Sequence, residues 1–206
     1  QTLVTPAHAG DTVTLDPAPG TLVIAGHGAG AAAEAFAVEI GAPLIAEAVS
    51  GAHFGPHLVL DYRTMVRGLS GSGAIARVIT WGRPTLSREV WGLLSDTSLA
   101  HYVVRGSAAA IPNPSRSATV VEGIEVSRTA TKAETSEWVK PWVMAGRERH
   151  SEVLRSIVPE APDLESVASS DPASRSAFAT QEMAVLRRPV TREGLALAMW
   201  EATWPH

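Results

Sequence analysis

The 206-residue chain contains no cysteine, which excludes disulfides, thiolate metal ligands and a cysteine nucleophile together. It also lacks any run of about 18 unbroken apolar residues, so no membrane-spanning helix is expected. Neither charge dominates: 17 Lys and Arg against 21 Asp and Glu leave a formal charge of -4. With no basic run, the chain has little electrostatic reason to bind nucleic acid or an anionic membrane. The start, Gln1-Thr2-Leu3, shows neither an initiator methionine nor the basic-then-apolar order of a signal peptide. A segment removed upstream and a cytoplasmic location are the expectations. No Gly-x-Ser-x-Gly elbow occurs, and no Ser/His/Asp set is placed for hydrolysis.

What is present is a sizeable apolar fraction, 45% of residues, enough for a proper core. Residues 1–20 are rich in Pro, Gly and Asp and read as a linker or edge segment. Order then sets in as short apolar runs of strand length at 21–25, 43–46, 76–81 and 101–104. Helical stretches at 31–40, 60–69 and 86–94 separate them. Strand, turn, helix, strand, repeated, predicts an α/β fold with a doubly wound, Rossmann-like parallel sheet buried on both faces. Residues 118–126 are expected to carry a last strand, which closes a central domain over 21–130. A helical C-terminal tail, 131–206, follows. In it Pro141 is expected to kink or divide the first helix, 159–172 to form a Pro/Asp/Ser linker, and 173–186 and 191–204 to form two more helices.

The strongest local motif is Gly26-x-Gly28-x-x-Ala31 between a strand and a helix, with Glu47 ending the next strand 21 residues beyond Gly26. Such glycines let a backbone approach a pyrophosphate, and the carboxylate can meet a ribose hydroxyl, so Gly26, Gly28 and Glu47 are candidate dinucleotide ligands. The competing reading is that any tight strand-to-helix turn of this fold uses glycine. A second candidate is Trp81-Gly82-Arg83-Pro84-Thr85-Leu86-Ser87-Arg88, at the carboxyl end of a strand, where open α/β sheets receive ligands. Cations at a helix start oppose the helix dipole, whereas a guanidinium there suits a ligand carboxylate. Arg88, Arg83 and the nearby Arg63 are therefore candidate carboxylate ligands; the alternative is that they pair with Asp61 or Glu89. His53 and His57 sit among Gly51, Gly55 and Pro56 on a loop without partners for a metal site, so no metal is expected. Ser70-Gly71-Ser72-Gly73 reads as a turn. The pairs Trp138/Trp142 and Trp200/Trp204, each at i,i+4 spacing, read as packing stripes.

Three segments carry a family resemblance: Thr21-Leu-Val-Ile-Ala-Gly-His-Gly-Ala-Gly30, Pro43-Leu-Ile-Ala-Glu-Ala-Val-Ser-Gly51 and Arg77-Val-Ile-Thr-Trp-Gly-Arg-Pro-Thr-Leu-Ser-Arg88. They resemble actinobacterial members of the MenD family, the 2-succinyl-5-enolpyruvyl-6-hydroxy-3-cyclohexene-1-carboxylate synthases of menaquinone biosynthesis. The resemblance implies a parent enzyme of three α/β domains, pyrimidine-binding, middle and diphosphate-binding, working with thiamine diphosphate and Mg2+. That parent joins decarboxylated 2-oxoglutarate to isochorismate and is expected to be a homo-oligomer. Neither a counterpart of the first domain nor the Gly-Asp-Gly…Asn motif of the third is present. The chain thus resembles the middle domain, with a tail reaching toward the third, and no cofactor and no catalytic residue is expected in it. Its partners would be the two missing domains. Related middle domains in other thiamine enzymes bind FAD or ADP, which keeps a free-standing FAD-, NAD- or ADP-binding module open as the alternative. The resemblance also implies a basic residue at Arg88 facing a substrate carboxylate.

Overall fold

The computed structural model describes residues 12–69, 71–105, 111–157, 171–187 and 189–203. Its N-terminal unit, Gln1–Arg149, and C-terminal unit, His150–His206, are separate compact bodies. The first contains β1 (Thr12–Leu15), β2 (Thr21–Ala25), α1 (Ala31–Ile40), β3 (Leu44–Ala46), α2 (Tyr62–Leu69), β4 (Arg77–Trp81), α3 (Arg88–Leu94), β5 (Ala100–Val104), β6 (Thr119–Val121) and β7 (Gly123–Val126). Helix α4 (Lys132–Ile157) begins in it, and α5 (Pro172–Leu186) and α6 (Arg192–Thr203) belong to the second.

Five strands pair in parallel in the order β3-β2-β4-β5-β6. The expected doubly wound sheet is therefore present, and its order reverses between β2 and β4. Strand period 2 explains why its sequences read as unbroken apolar runs. On β2, Val23 and Ala25 face one core with Phe36, Ala37 and Ile40 of α1. Leu22 and Ile24 face the other, with Val66 of α2 and Val90, Leu93 and Leu94 of α3. Every residue of β2 is buried. Burying a Leu, Val or Ile side chain contributes roughly 1.5–3 kcal/mol, so a strand buried on both faces anchors both cores.

The four expected strands agree with the structure to within one residue at their starts. The segment read as linker or edge contains β1, which pairs in parallel with β7. The single strand expected at 118–126 is two: β6 extends the main sheet, and after Glu122 the chain crosses to β1 as β7. Helix α3 starts at Arg88, two residues later than expected, because Ser87 is its N-cap and accepts from the Val90 N–H at 3.4 Å. Helix α4 runs through Pro141 as one element. Its buried Val139, Trp142 and Val143 flank the proline and hold the helix where one backbone hydrogen bond is missing. Trp138 and Trp142 do form a packing stripe: the rings meet edge to face at 5.8 Å, and the Trp138 indole N–H donates to the Thr21 carbonyl at 2.8 Å. Trp204, the side chain of Trp200, the opening 1–11, Ser70 and 159–170 of the expected linker lie outside the described residues.

Among the described residues no helix is long and apolar enough to cross a membrane.

Candidate functional site

In an open α/β sheet, ligands enter at the carboxyl ends of the strands where the order reverses. Here that point lies between Ala25 and Trp81, which are register partners. The loops that leave them are locked to each other. The His27 and Arg83 backbones exchange two N–H···O hydrogen bonds, each 2.9 Å, and the Gly26 N–H donates to the Trp81 carbonyl at 2.9 Å.

Two glycines make this lock possible. A Cβ on Gly26 would stand 2.1 Å from the Arg83 carbonyl carbon and from the Pro84 nitrogen. A Cβ on Gly82 would stand 2.5 Å from the His27 carbonyl oxygen, and its φ of +66° is a left-handed conformation. The backbone that comes close to Gly26 is thus this chain's own, from the β4–α3 loop. Gly28 has a φ of +81° and, among the described residues, nothing within 4 Å of a Cβ position.

Glu47 completes the arrangement. It is buried, and its carboxylate accepts from the Thr85 N–H at 2.9 Å, the Leu86 N–H at 2.7 Å and the Thr85 hydroxyl at 3.4 Å. Charge-assisted bonds of this kind are the stronger class, and they fix the loop that carries Arg83 and Arg88. Both carboxylate oxygens are engaged within the chain.

The structure brings Arg63 to the same loop: its guanidinium donates to the Leu86 carbonyl at 3.2 Å. Arg88, the first residue of α3, has a side chain 90% exposed, with its Nε 3.6 Å from Glu89. Arg83 is exposed and is tied to the loop through its backbone. Asp61 has a loose ion pair with Arg149 at 3.8 Å. Glu89 belongs chiefly to Arg67, at 2.6 Å. That hydrogen bond, with help from backbone and Ser87 donors, holds the Glu89 carboxyl down at about 2. Arg67 was not among the candidates, since nothing in the sequence aims residue 67 at residue 89; helix α2 does so by lying beside α3.

Tyr62 also escaped the sequence reading. It is buried beside Arg63, Ser87 and Glu47, and burial raises its phenol above the ordinary value of 10.0 against the lowering effect of Arg63. Arg63, Arg83 and Arg88 are thus exposed arginines on or against a loop whose backbone Glu47 holds at Thr85 and Leu86.

Among the described residues no group of three His, Asp or Glu side chains could hold a metal ion. His57, one of the two loop histidines, is buried, with Nδ1 within 3.1 Å of the carbonyls of Ala37 and Ala42.

No family model matches the chain. It is similar over 200 residues to a protein named 2-succinyl-5-enolpyruvyl-6-hydroxy-3-cyclohexene-1-carboxylate synthase from Leifsonia xyli subsp. xyli, at 40% identity. The match takes in 95% of this chain and 34% of the relative. Proteins of the same name from Clavibacter michiganensis subsp. michiganensis and an Arthrobacter species are 39% and 36% identical, over 96% and 66% of this chain and 33% and 24% of their own lengths. The chain spans about a third of the length of the first two relatives.

Proposed function

We infer that this chain, a MenD-family segment by sequence, serves as the middle domain of a menaquinone-biosynthesis synthase, and that its own part is structural and substrate-contacting rather than catalytic. The similarity over 95% of the chain to a third of a synthase supports the placement. In the parent, thiamine diphosphate with Mg2+ would supply the chemistry from the flanking domains, the partners of this one. The work of this domain is to present a fixed cationic edge, in the cytoplasm, to a carboxylated substrate or effector.

The observation that carries this reading is the anchoring of Arg63 on the loop that bears Arg83 and Arg88, with that loop clamped by Glu47. Like charges held close repel by a few tenths to about 1 kcal/mol per pair at a surface, and a carboxylate offsets that. Arg88, with Arg63, forms the patch, and Arg83 flanks it. In the full-length enzyme Arg88→Ala should raise KM for isochorismate about tenfold, equal to ~1.4 kcal/mol, or abolish inhibition by a carboxylated effector. Both parameters at wild-type values in a folded variant would overturn the assignment.

The other reading, a nucleotide-binding module using Gly26, Gly28 and Glu47, meets a turn already occupied by Arg83 and Pro84 and a carboxylate already engaged. Calorimetric titration of the chain with FAD, NAD and ADP separates the two, and no saturable binding is expected.

A further inference from the structure

A groove of about 570 Å³ is lined by Val38 of α1, by Pro56 and His57, and by α4 from Lys132 to Arg147. That is within the size range of small-molecule sites, roughly 300–1,000 Å³. Its apolar part includes Val38, Val143 and Met144, of which Val38 and Met144 are exposed at 36% and 53%. Its cations are Lys132, Lys140 and Arg147, and no Asp or Glu lines it.

The groove follows from α4's periodicity. Ser136, Lys140, Met144 and Arg147 recur at helical spacing on one face, while the largely buried Val139 and Val143 line the groove's base. Its walls are joined to one another. The Ala130 N–H donates to the Glu39 carbonyl at 2.8 Å, and Gly41 fits against Ala130 with no room for a Cβ, which would stand 2.4 Å away. Among the described residues no carboxylate lies within ion-pair distance of Lys132, Lys140 or Arg147. Glu34, one turn before Val38, is packed over Gly55 instead.

His57 adds an independent sign. It is 93% buried by its 7% exposure, and it lines the groove. Two carbonyl acceptors at Nδ1 require the proton on that nitrogen. Among the described residues no protein group is hydrogen-bonded to Nε2, which leaves that nitrogen to accept from a ligand hydroxyl.

We propose that this groove binds an organic carboxylate with an apolar body, the body on Val38, Val143 and Met144 and the carboxylate among Lys132, Lys140 and Arg147. The proposal is independent of the MenD reading and of the Arg88 patch. Charge complementarity sets the class, because cations that lack counter-ions beside exposed apolar surface are matched by a molecule carrying both an anion and a hydrocarbon.

The test is an amide-shift titration of the whole 206-residue chain with octanoate, and with octanol and octylamine as neutral and cationic counterparts. Octanoate should give saturable shifts concentrated at Val38, Ala130, Val143 and Met144, and octanol and octylamine much weaker ones. Lys140→Glu with Arg147→Glu should weaken octanoate binding at least tenfold, and the milder Lys140→Gln with Arg147→Gln pair at least threefold. Arg88→Ala should leave the groove shifts in place, which separates this site from the loop patch. No saturable octanoate shifts, equal response to octanol, or indifference to both pairs of substitutions would overturn the proposal.

Discussion

The sheet unit and the C-terminal helices bury their apolar residues to opposite degrees. In the first, Leu22, Val23, Ile24, Ile45, Val59, Val66 and Ile79 have no exposure at all. In the second, Val190 is 82% exposed, Leu195 52% and Met199 61%, and neither α5 nor α6 has a buried residue among those described. Helix propensity alone makes isolated helices of this length marginal, and most helical stability comes from packing an apolar face. The sheet unit supplies such faces to α1, α2 and α3 from both sides of its strands. The C-terminal unit has no sheet of its own among its described residues, and its groove, lined by Val153, Ile157, Val190 and Leu195, stays open. Among the described residues, the first unit has a buried interior and the second has none.

The largest break in this contrast should come at the lock. Gly26→Ala forces a methyl into the Arg83–Pro84 backbone and should cost the sheet unit about 3 kcal/mol or more, read by urea unfolding with tryptophan fluorescence. An effect under ~1 kcal/mol would mean that the β2–α1 and β4–α3 turns are not interlocked.

Acid should act next, through His101. This ring is buried, its Nε2 lies 2.9 Å from the Thr80 hydroxyl, and its Nδ1 has no partner among the described residues. Burial lowers its pKa from the ordinary 6.5 to about 4. Between those values the unfolded chain takes up a proton that the folded chain refuses. Stability is therefore full above pH 6.5 and falls as pH drops toward 4, by up to ~3 kcal/mol. The Glu89 contribution is lost lower, as pH falls from the ordinary 4.5 toward about 2. Urea midpoints across this range should show the slope, and His101→Leu should flatten its upper part; an unchanged slope would assign it to other groups.

The smallest effect belongs to the exposed helices. Val190→Ala should change stability by no more than ~0.5 kcal/mol. A larger loss in the same urea experiment would show that Val190 is covered in solution, and the contrast between the units would weaken.

Much of this architecture was legible in the sequence for a simple reason. A strand buried on both faces has no polar alternation, so 21–25, 43–46, 76–81 and 101–104 stand out as apolar runs, and glycine or proline punctuates them. The strand β1 was not legible, because Thr12–Leu15 is only partly buried and pairs with β7 more than 100 residues later. The division of 118–126 into two strands was equally hidden: both halves read as strand, and only pairing shows that one joins β5 and the other β1. At the site, the arginines were legible as cations at a helix start, whereas Arg67 and Tyr62 were not, because their roles arise from α2 lying against α3.

By itself, then, the sequence determined the alternation of strands and helices, the parallel sheet and the glycine-lined turn at Gly26, since each follows from local chemistry read over a few residues. Tertiary structure alone decided what fills that turn. A glycine that admits a pyrophosphate and a glycine that admits a neighbouring loop satisfy the same local steric rule, and a carboxylate one strand away can serve either. Residues 26, 47 and 83 to 86 meet only because β2, β3 and β4 lie side by side, and that adjacency comes from burying two apolar faces at once.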